Sequence, residues 1–186
     1  PLSLAAKRQT SYWDKKEVYI STPTIKGQSR IEVEFEHSTQ EEFCVPCPNC
    51  GHYQPLVWAN LHFDVPEPGD ISYTCEKCGV ADEEYRWKAQ EIKGKWVATK
   101  PEEKARGFHI NTLASTFCGW DEVVEKFKLA KQQLDVGDPE KMKTWVNTEM
   151  GQTWEERGKT VESDNLLTRR EIYDAEVPDG VMMLTA

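Results

Sequence analysis

Apolar residues along this chain come in short bursts, and their spacing changes from segment to segment. Residues 1–13 read as a polar helix or loop. Val18-Tyr19-Ile20 is a β-branched and aromatic run, which predicts a buried strand, and Ser21-Thr22-Pro23-Thr24 to Gly27 then predicts a loop. Ser29 stands where a helix cap belongs, with Glu32 three residues on to complete a capping box, so a helix is predicted over 30–37. Glu42-Phe43-Cys44-Val45, Gln54–Trp58, Ile71–Thr74 and Gly94–Ala98 predict short strands, and Asp82–Glu91 predicts a short helix. Arg106-Gly107-Phe108-His109-Ile110-Asn111 alternates as a strand does, with Phe108 and Ile110 on one face and His109 and Asn111 on the other.

The strongest helical signal is Asp121–Leu134. Val123, Phe127, Ala130 and Leu134 recur at helical spacing, Asp121 is placed to cap the start, and Gly137 follows the end. Asp138-Pro139 opens a second helix with Met142, Trp145, Val146 and Met150 as its apolar stripe. A short loop between two such helices predicts an antiparallel pair. From Arg157 to Asp164 the chain turns polar and reads as a linker, followed by a short helix over Leu166–Tyr173, a turn at Pro178-Asp179-Gly180 and an apolar strand from Val181. That strand reaches Ala186, and the first residue is Pro1, so the expectation is an excised middle segment.

Composition narrows the function classes. Of 186 residues, 38% are hydrophobic and 30% charged, with seven tryptophans, six tyrosines and six phenylalanines, which is core material that a disordered tail lacks. The net charge of −9 runs against a compact, sequence-independent nucleic-acid binder. No apolar run reaches the ~20 residues of a membrane helix, and no secretory signal opens the chain.

The cysteines carry the sharpest local signal. Cys47-Pro48-Asn49-Cys50-Gly51 and Cys75-Glu76-Lys77-Cys78-Gly79 are matched knuckles, each with Gly directly after its second Cys. Such a turn aims backbone N–H groups at the sulfurs and needs a residue that tolerates positive φ. Four thiolates suit a structural, closed tetrahedral zinc site, with a longer loop between the pairs than the usual motif has. Disulfides lack a secretory context, a redox site needs one reactive pair, and a rubredoxin-like iron site uses similar knuckles. Cys44 reads as a strand residue, with a competing role as ligand open to it, and His52 as an exposed turn residue, with substitution for a ligand open to it; Cys118 reads as a buried small hydrophobe and His109 as a hydrogen-bonded structural histidine. Tyr53, Trp58, Tyr73, Lys77, Arg86 and Lys88 are aromatic and basic groups available for DNA or subunit contact, against a reading in which they only pack and solvate the ribbon.

Several segments then coincide in order. They are Ser21-Thr22-Pro23-Thr24 with Gly27 and Ser29-Arg30-Ile31, the Val45–Gly51 knuckle with Gln54 and Trp58, and Arg106–Leu113. Trp145-Val146-Asn147-Thr148-Glu149 with Gly151, Trp154 and Glu155 follows, and then Val181–Ala186. Together they resemble the lambda-like GpA family of tailed-phage terminase large subunits. The resemblance implies an α+β segment: the end of a P-loop (ASCE-type) α/β ATPase domain with an inserted zinc ribbon, then a helical linker region. The implied division is 1–42 from the ATPase domain, 43–80 the ribbon, 81–156 completing the ATPase region, and 157–186 the linker and first nuclease strand.

By the same likeness, Ser21 and Thr22 match the motif that couples ATP hydrolysis to DNA movement. The implied parent is an ATP- and Mg2+-dependent motor and endonuclease that packages double-stranded DNA in the host bacterial cytoplasm, with a small subunit and a portal protein as partners and no membrane. The chain has no G-x-x-x-x-G-K-[ST] loop and no apolar strand ending in Asp-Glu, and the nuclease carboxylates would begin past Ala186. The rival readings are a stand-alone zinc-ribbon interaction module and an iron-site redox protein.

The cysteine pattern predicts one zinc per chain by metal analysis, with Cys47, Cys50, Cys75 and Cys78 as ligands. Cys47→Ser or Cys75→Ser should unfold the 43–78 module, followed by circular dichroism, while Cys118→Ser should do little. A module that stays folded in EDTA and in both ligand variants contradicts the zinc reading.

Overall fold

A computed structural model describes residues 7–156 apart from 66 and 68. The expected linker, helix and strand of 157–186 lie outside the described residues. The architecture is mixed helix and sheet, and two small sheets carry it.

The first sheet is built around β1 (Glu41–Pro46). Its second half pairs antiparallel with β2 (Tyr53–Pro55). Its first half pairs antiparallel with β6 (Lys95–Ala98), Phe43 opposite Trp96, and parallel with β7 (Phe108–His109), Glu42 opposite His109. The second sheet is the antiparallel ladder β3 (Leu61–Phe63), β4 (Ile71–Thr74) and β5 (Ala81–Glu83). Helix α1 (Arg30–Glu36) precedes the first sheet, and α2 (Glu84–Lys88) follows the second without a break. The long helices α3 (Trp120–Asp135) and α4 (Glu140–Thr148) pack side by side.

Aromatic rings join these pieces. Trp58, in a 3-10 turn before β3, meets Trp145 of α4 at 4.7 Å and Phe127 of α3 at 4.8 Å between ring centroids. Tyr73 of β4 lies against Trp87 of α2 at 4.9 Å and Trp120 of α3 at 5.9 Å. Offset and edge-on rings at these separations attract beyond the area they bury. Each buried indole N–H finds a carbonyl: Trp87 donates to Tyr73 O, Trp120 to Leu113 O and Trp145 to Val123 O, at 2.9–3.2 Å. The heaviest buried side chains thus have their indole N–H groups satisfied.

Several local expectations change. Val18–Ile20 forms no strand: Val18 is 77% and Ile20 92% exposed, because the run has no sheet partner among the described residues. The capping box at Ser29 and Glu32 is not made. Ser29 Oγ instead accepts from the Thr24 N–H, and Glu32 accepts from the Gly27 N–H, so both side chains hold the preceding loop rather than the helix end. The helix expected over Asp82–Glu91 shortens to Glu84–Lys88, since Ala81–Glu83 is taken up by pairing with β4. Only Phe108–His109 of the predicted 106–111 strand pairs. Residues 56–58 leave the predicted strand, and Trp58 turns into the core.

Helix α3 begins at Trp120, not at an Asp121 cap; the Glu84 carboxylate of α2 accepts the Trp120 N–H at 3.0 and 3.1 Å. An anion from another element thus fills the role of the local cap at a helix N-terminus. Asp138 accepts the Glu140 N–H at 3.1 Å and starts α4 as the sequence suggests.

Tyr73 supplies the most exacting test of this packing. Its buried hydroxyl accepts the Val57 N–H at 2.9 Å and donates to Pro55 O at 3.3 Å. Tyr73→Phe leaves the Val57 N–H without this partner and should cost about 1–3 kcal/mol in urea unfolding. A loss well below that range would mean that the hydroxyl is not a structural hub.

Candidate metal centre

Two adjoining turns, one from each sheet, build the site. Cys47 directly follows β1 and Cys50 precedes β2; Cys75 directly follows β4 and Cys78 precedes β5. Both turns close the same way. Gly51 N–H donates to Cys47 O at 3.0 Å, and Gly79 N–H to Cys75 O at 2.9 Å, each glycine at φ +69°. That left-handed conformation is the physical reason for a Gly after each second cysteine. Cys47 N–H then bonds His52 O at 2.8 Å, and Cys75 N–H bonds Val80 O at 3.1 Å, returning each chain into its next strand.

The four sulfurs of Cys47, Cys50, Cys75 and Cys78 lie within 4.8 Å of one another. The cross-turn pairs Cys47–Cys78 and Cys50–Cys75 are both 3.8 Å apart. A regular tetrahedron with ~2.3 Å zinc–sulfur bonds places its sulfurs about 3.8 Å apart. That distance is far beyond the ~2.05 Å of a disulfide. The backbone N–H of Val80 draws the Cys78 thiol down, but burial and the sulfurs of Cys75, Cys50 and Cys47 push it up, to about 12 overall. Four sulfurs gathered this closely disfavour thiolate until a cation balances them. With four sulfur donors and no fifth group in the cluster among the described residues, the set suits a closed structural ion.

Polar contacts around the sulfurs lock the two turns together. Asn49 donates its side-chain amide to the buried Asp82, which Arg86 holds from the other side at 2.5 Å. Gln54, fully buried, accepts the Glu76 N–H at 3.0 Å, and its own amide reaches Tyr73 Oη at 3.4 Å. His52 does not join the cluster; its Nε2 meets Glu76 Oε1 at 3.0 Å. The spacing of the cysteines does not reveal this bracing, because Asp82 and Gln54 are ordinary polar residues until the two sheets meet.

The remaining candidates fall where packing puts them. Cys44 is buried in β1, opposite Lys95 and Pro55, and burial raises its thiol. Cys118 is half-buried beside α3, with burial raising its thiol and Glu122 adding to the shift. His109 is hydrogen-bonded between Glu42 and Met150 O, as a structural histidine should be. Tyr73 is fully buried in the core, and Trp58 is partly buried and packs against it, so Tyr73 is not available to a partner. Lys88 is tied to Glu84 and to Cys118 O, and Arg86 to Asp82; Tyr53 and Lys77 are exposed. Ser21 and Thr22 are exposed outside any helix or strand, Ser21 Oγ donating to Thr22 O at 2.9 Å.

Comparison with known proteins gives a consistent identity. The family model described as the ATPase domain of phage terminase large subunit gpA matches residues 1–96, and that of the gpA endonuclease domain matches residues 105–186. The terminase large subunit of Enterobacteria phage P21 is 30% identical over 214 aligned positions, and that of Escherichia phage lambda 32% over 212. Each alignment covers 100% of this chain and 32% of the relative, so the chain spans about a third of the proteins it matches. No solved structure matches. No described helix is long and apolar enough to cross a membrane. The chain belongs to the gpA family of phage terminase large subunits.

Proposed function

We propose that this chain is the part of a DNA-packaging large subunit in which a zinc-held ribbon braces the polypeptide between an ATPase domain and a nuclease domain. The carrying observation is the gathering of the Cys47, Cys50, Cys75 and Cys78 sulfurs within 4.8 Å of one another, in a chain matched end to end by terminase large subunits. Zinc is the structural ion. The parent protein uses ATP and Mg2+ to drive double-stranded DNA and to cut concatemers, in the host bacterial cytoplasm, together with a small terminase subunit and a portal protein. Residues 1–42 come from the ATPase domain, 43–80 form the ribbon and 81–96 end the ATPase-matched stretch; 105–186, matched by the endonuclease-domain model, lead into the nuclease. Ser21 and Thr22, at the loop after Val18–Ile20, relay loss of the γ-phosphate; short hydroxyls there can exchange hydrogen bonds when the phosphate leaves.

The ribbon makes subunit contacts in preference to DNA contacts. Its exposed Lys77 and Tyr53 are accompanied by Glu76, Glu83 and a chain-wide charge of −9, while Trp58 and Tyr73 face inward. A phosphate-reading surface needs a basic excess, which this ribbon lacks. The stand-alone interaction module is disfavoured, since its relatives are large subunits along the whole chain.

Binding of the zinc-loaded chain to the small terminase subunit and to duplex DNA tests this reading. The expected result is small-subunit or portal binding that disappears when a chelator removes the metal, and only weak, salt-sensitive DNA binding. Tight DNA binding that Lys77→Glu abolishes would overturn the preference for subunit contact. Partner binding untouched by metal removal would overturn the role of the ribbon.

A further inference from the structure

His109 sits where three segments meet. It is carried on β7, faces β1 on one side, and on the other meets the chain that leaves α4. Nδ1 lies 2.8 Å from Glu42 Oε2, and Nε2 lies 3.0 Å from the Met150 carbonyl oxygen. Both partners only accept hydrogen bonds. A neutral imidazole has a single N–H and would turn a bare lone pair toward one of them; the imidazolium has two N–H groups and satisfies both. The side chain is 21% exposed, so water is a poor substitute for either contact.

The surroundings keep the ring in this place. Gly151 is at φ +63°, and a Cβ there would stand 3.0 Å from Nε2, so the backbone approaches the ring more closely than another residue would allow. From α1, the ring of Phe35 meets the imidazole edge-on at 6.3 Å. The ionisable group facing His109 from β1 is Glu42; α1 presents the Phe35 ring, and the segment after α4 presents the backbone of Met150 and Gly151. Glu41 and Arg106 pair with each other on the opposite face of the sheet. The hydrogen bond to Glu42 raises the His109 pKa, burial lowers it, and the Glu42 charge and the Met150 and Gly151 backbone raise it, for a net upward shift.

We propose that His109 is a doubly protonated clamp that fastens β1 to the segment after α4, and that its proton makes this junction pH-sensitive. Glu42 lies in the stretch matched by the ATPase-domain model, and His109 and Met150 in the stretch matched by the endonuclease-domain model. The clamp therefore joins the two matched stretches inside one folded unit. Its folded pKa lies above the ordinary 6.5. The stabilisation is then complete below 6.5 and is lost as pH rises through the folded value.

Nitrogen-15 NMR of the ring in the 186-residue chain tests the protonation directly. The ring should titrate from the doubly protonated form with a midpoint above 6.5, and that midpoint should fall in Glu42→Gln. Amide exchange tests the junction: protection of Thr112 and Gln152, whose N–H groups bond Glu149 O and Val146 O, should drop about tenfold as the wild-type histidine loses its proton. In Glu42→Gln the drop should move to lower pH. A wild-type midpoint at or below 6.5, or protection unaffected by the titration, overturns the proposal.

Discussion

Four sulfurs within 4.8 Å of one another set the constraint from which the rest follows. Each sheet contributes two of them, from turns that open directly at the ends of β1 and β4. The turns must therefore meet face to face, and that fixes how the two sheets lie against each other. The polar contacts follow the same seam: Asn49 to Asp82, Gln54 to Glu76, His52 to Glu76. Such small sheets bury little apolar surface by themselves, and a cation among the sulfurs would add to what the larger core supplies.

Aromatic packing carries the order outward. Tyr73 and Trp58 leave the ribbon and enter the core formed with Trp87, Trp120, Phe127 and Trp145. The ribbon is consequently one wall of a larger core and not a separate bead on the chain. The Glu84 carboxylate on the Trp120 N–H adds a polar tie between ribbon and helix pair. The folded unit includes residues from both family-matched stretches, joined by β1 with β7, Glu41 with Arg106, and Thr24–Lys26 with Trp154.

What was legible in the sequence was local. The knuckles are read from five-residue patterns in which sulfur spacing and a left-handed glycine leave little freedom, and the structure brings those four sulfurs together as the pattern requires. Helices α3 and α4 show through their 3.6-residue period. Elements that depend on distant partners were not legible. Val18–Ile20 has strand composition, but pairing decides whether such a run is buried. Ser29 and Glu32 fit a capping pattern, yet loop hydrogen bonds took both side chains. Trp58 and Tyr73 resemble surface contacts until the helices cover them. His109 was readable as structural, but its two acceptors come from residues 67 and 41 positions away.

X-ray absorption at the zinc edge tests the central claim most directly, because it reads the ligands rather than the stability of the fold. The account predicts one zinc with four sulfur neighbours at ~2.3 Å and no nitrogen or oxygen in the first shell. Fewer than four sulfurs, or a histidine nitrogen among the ligands, would contradict it.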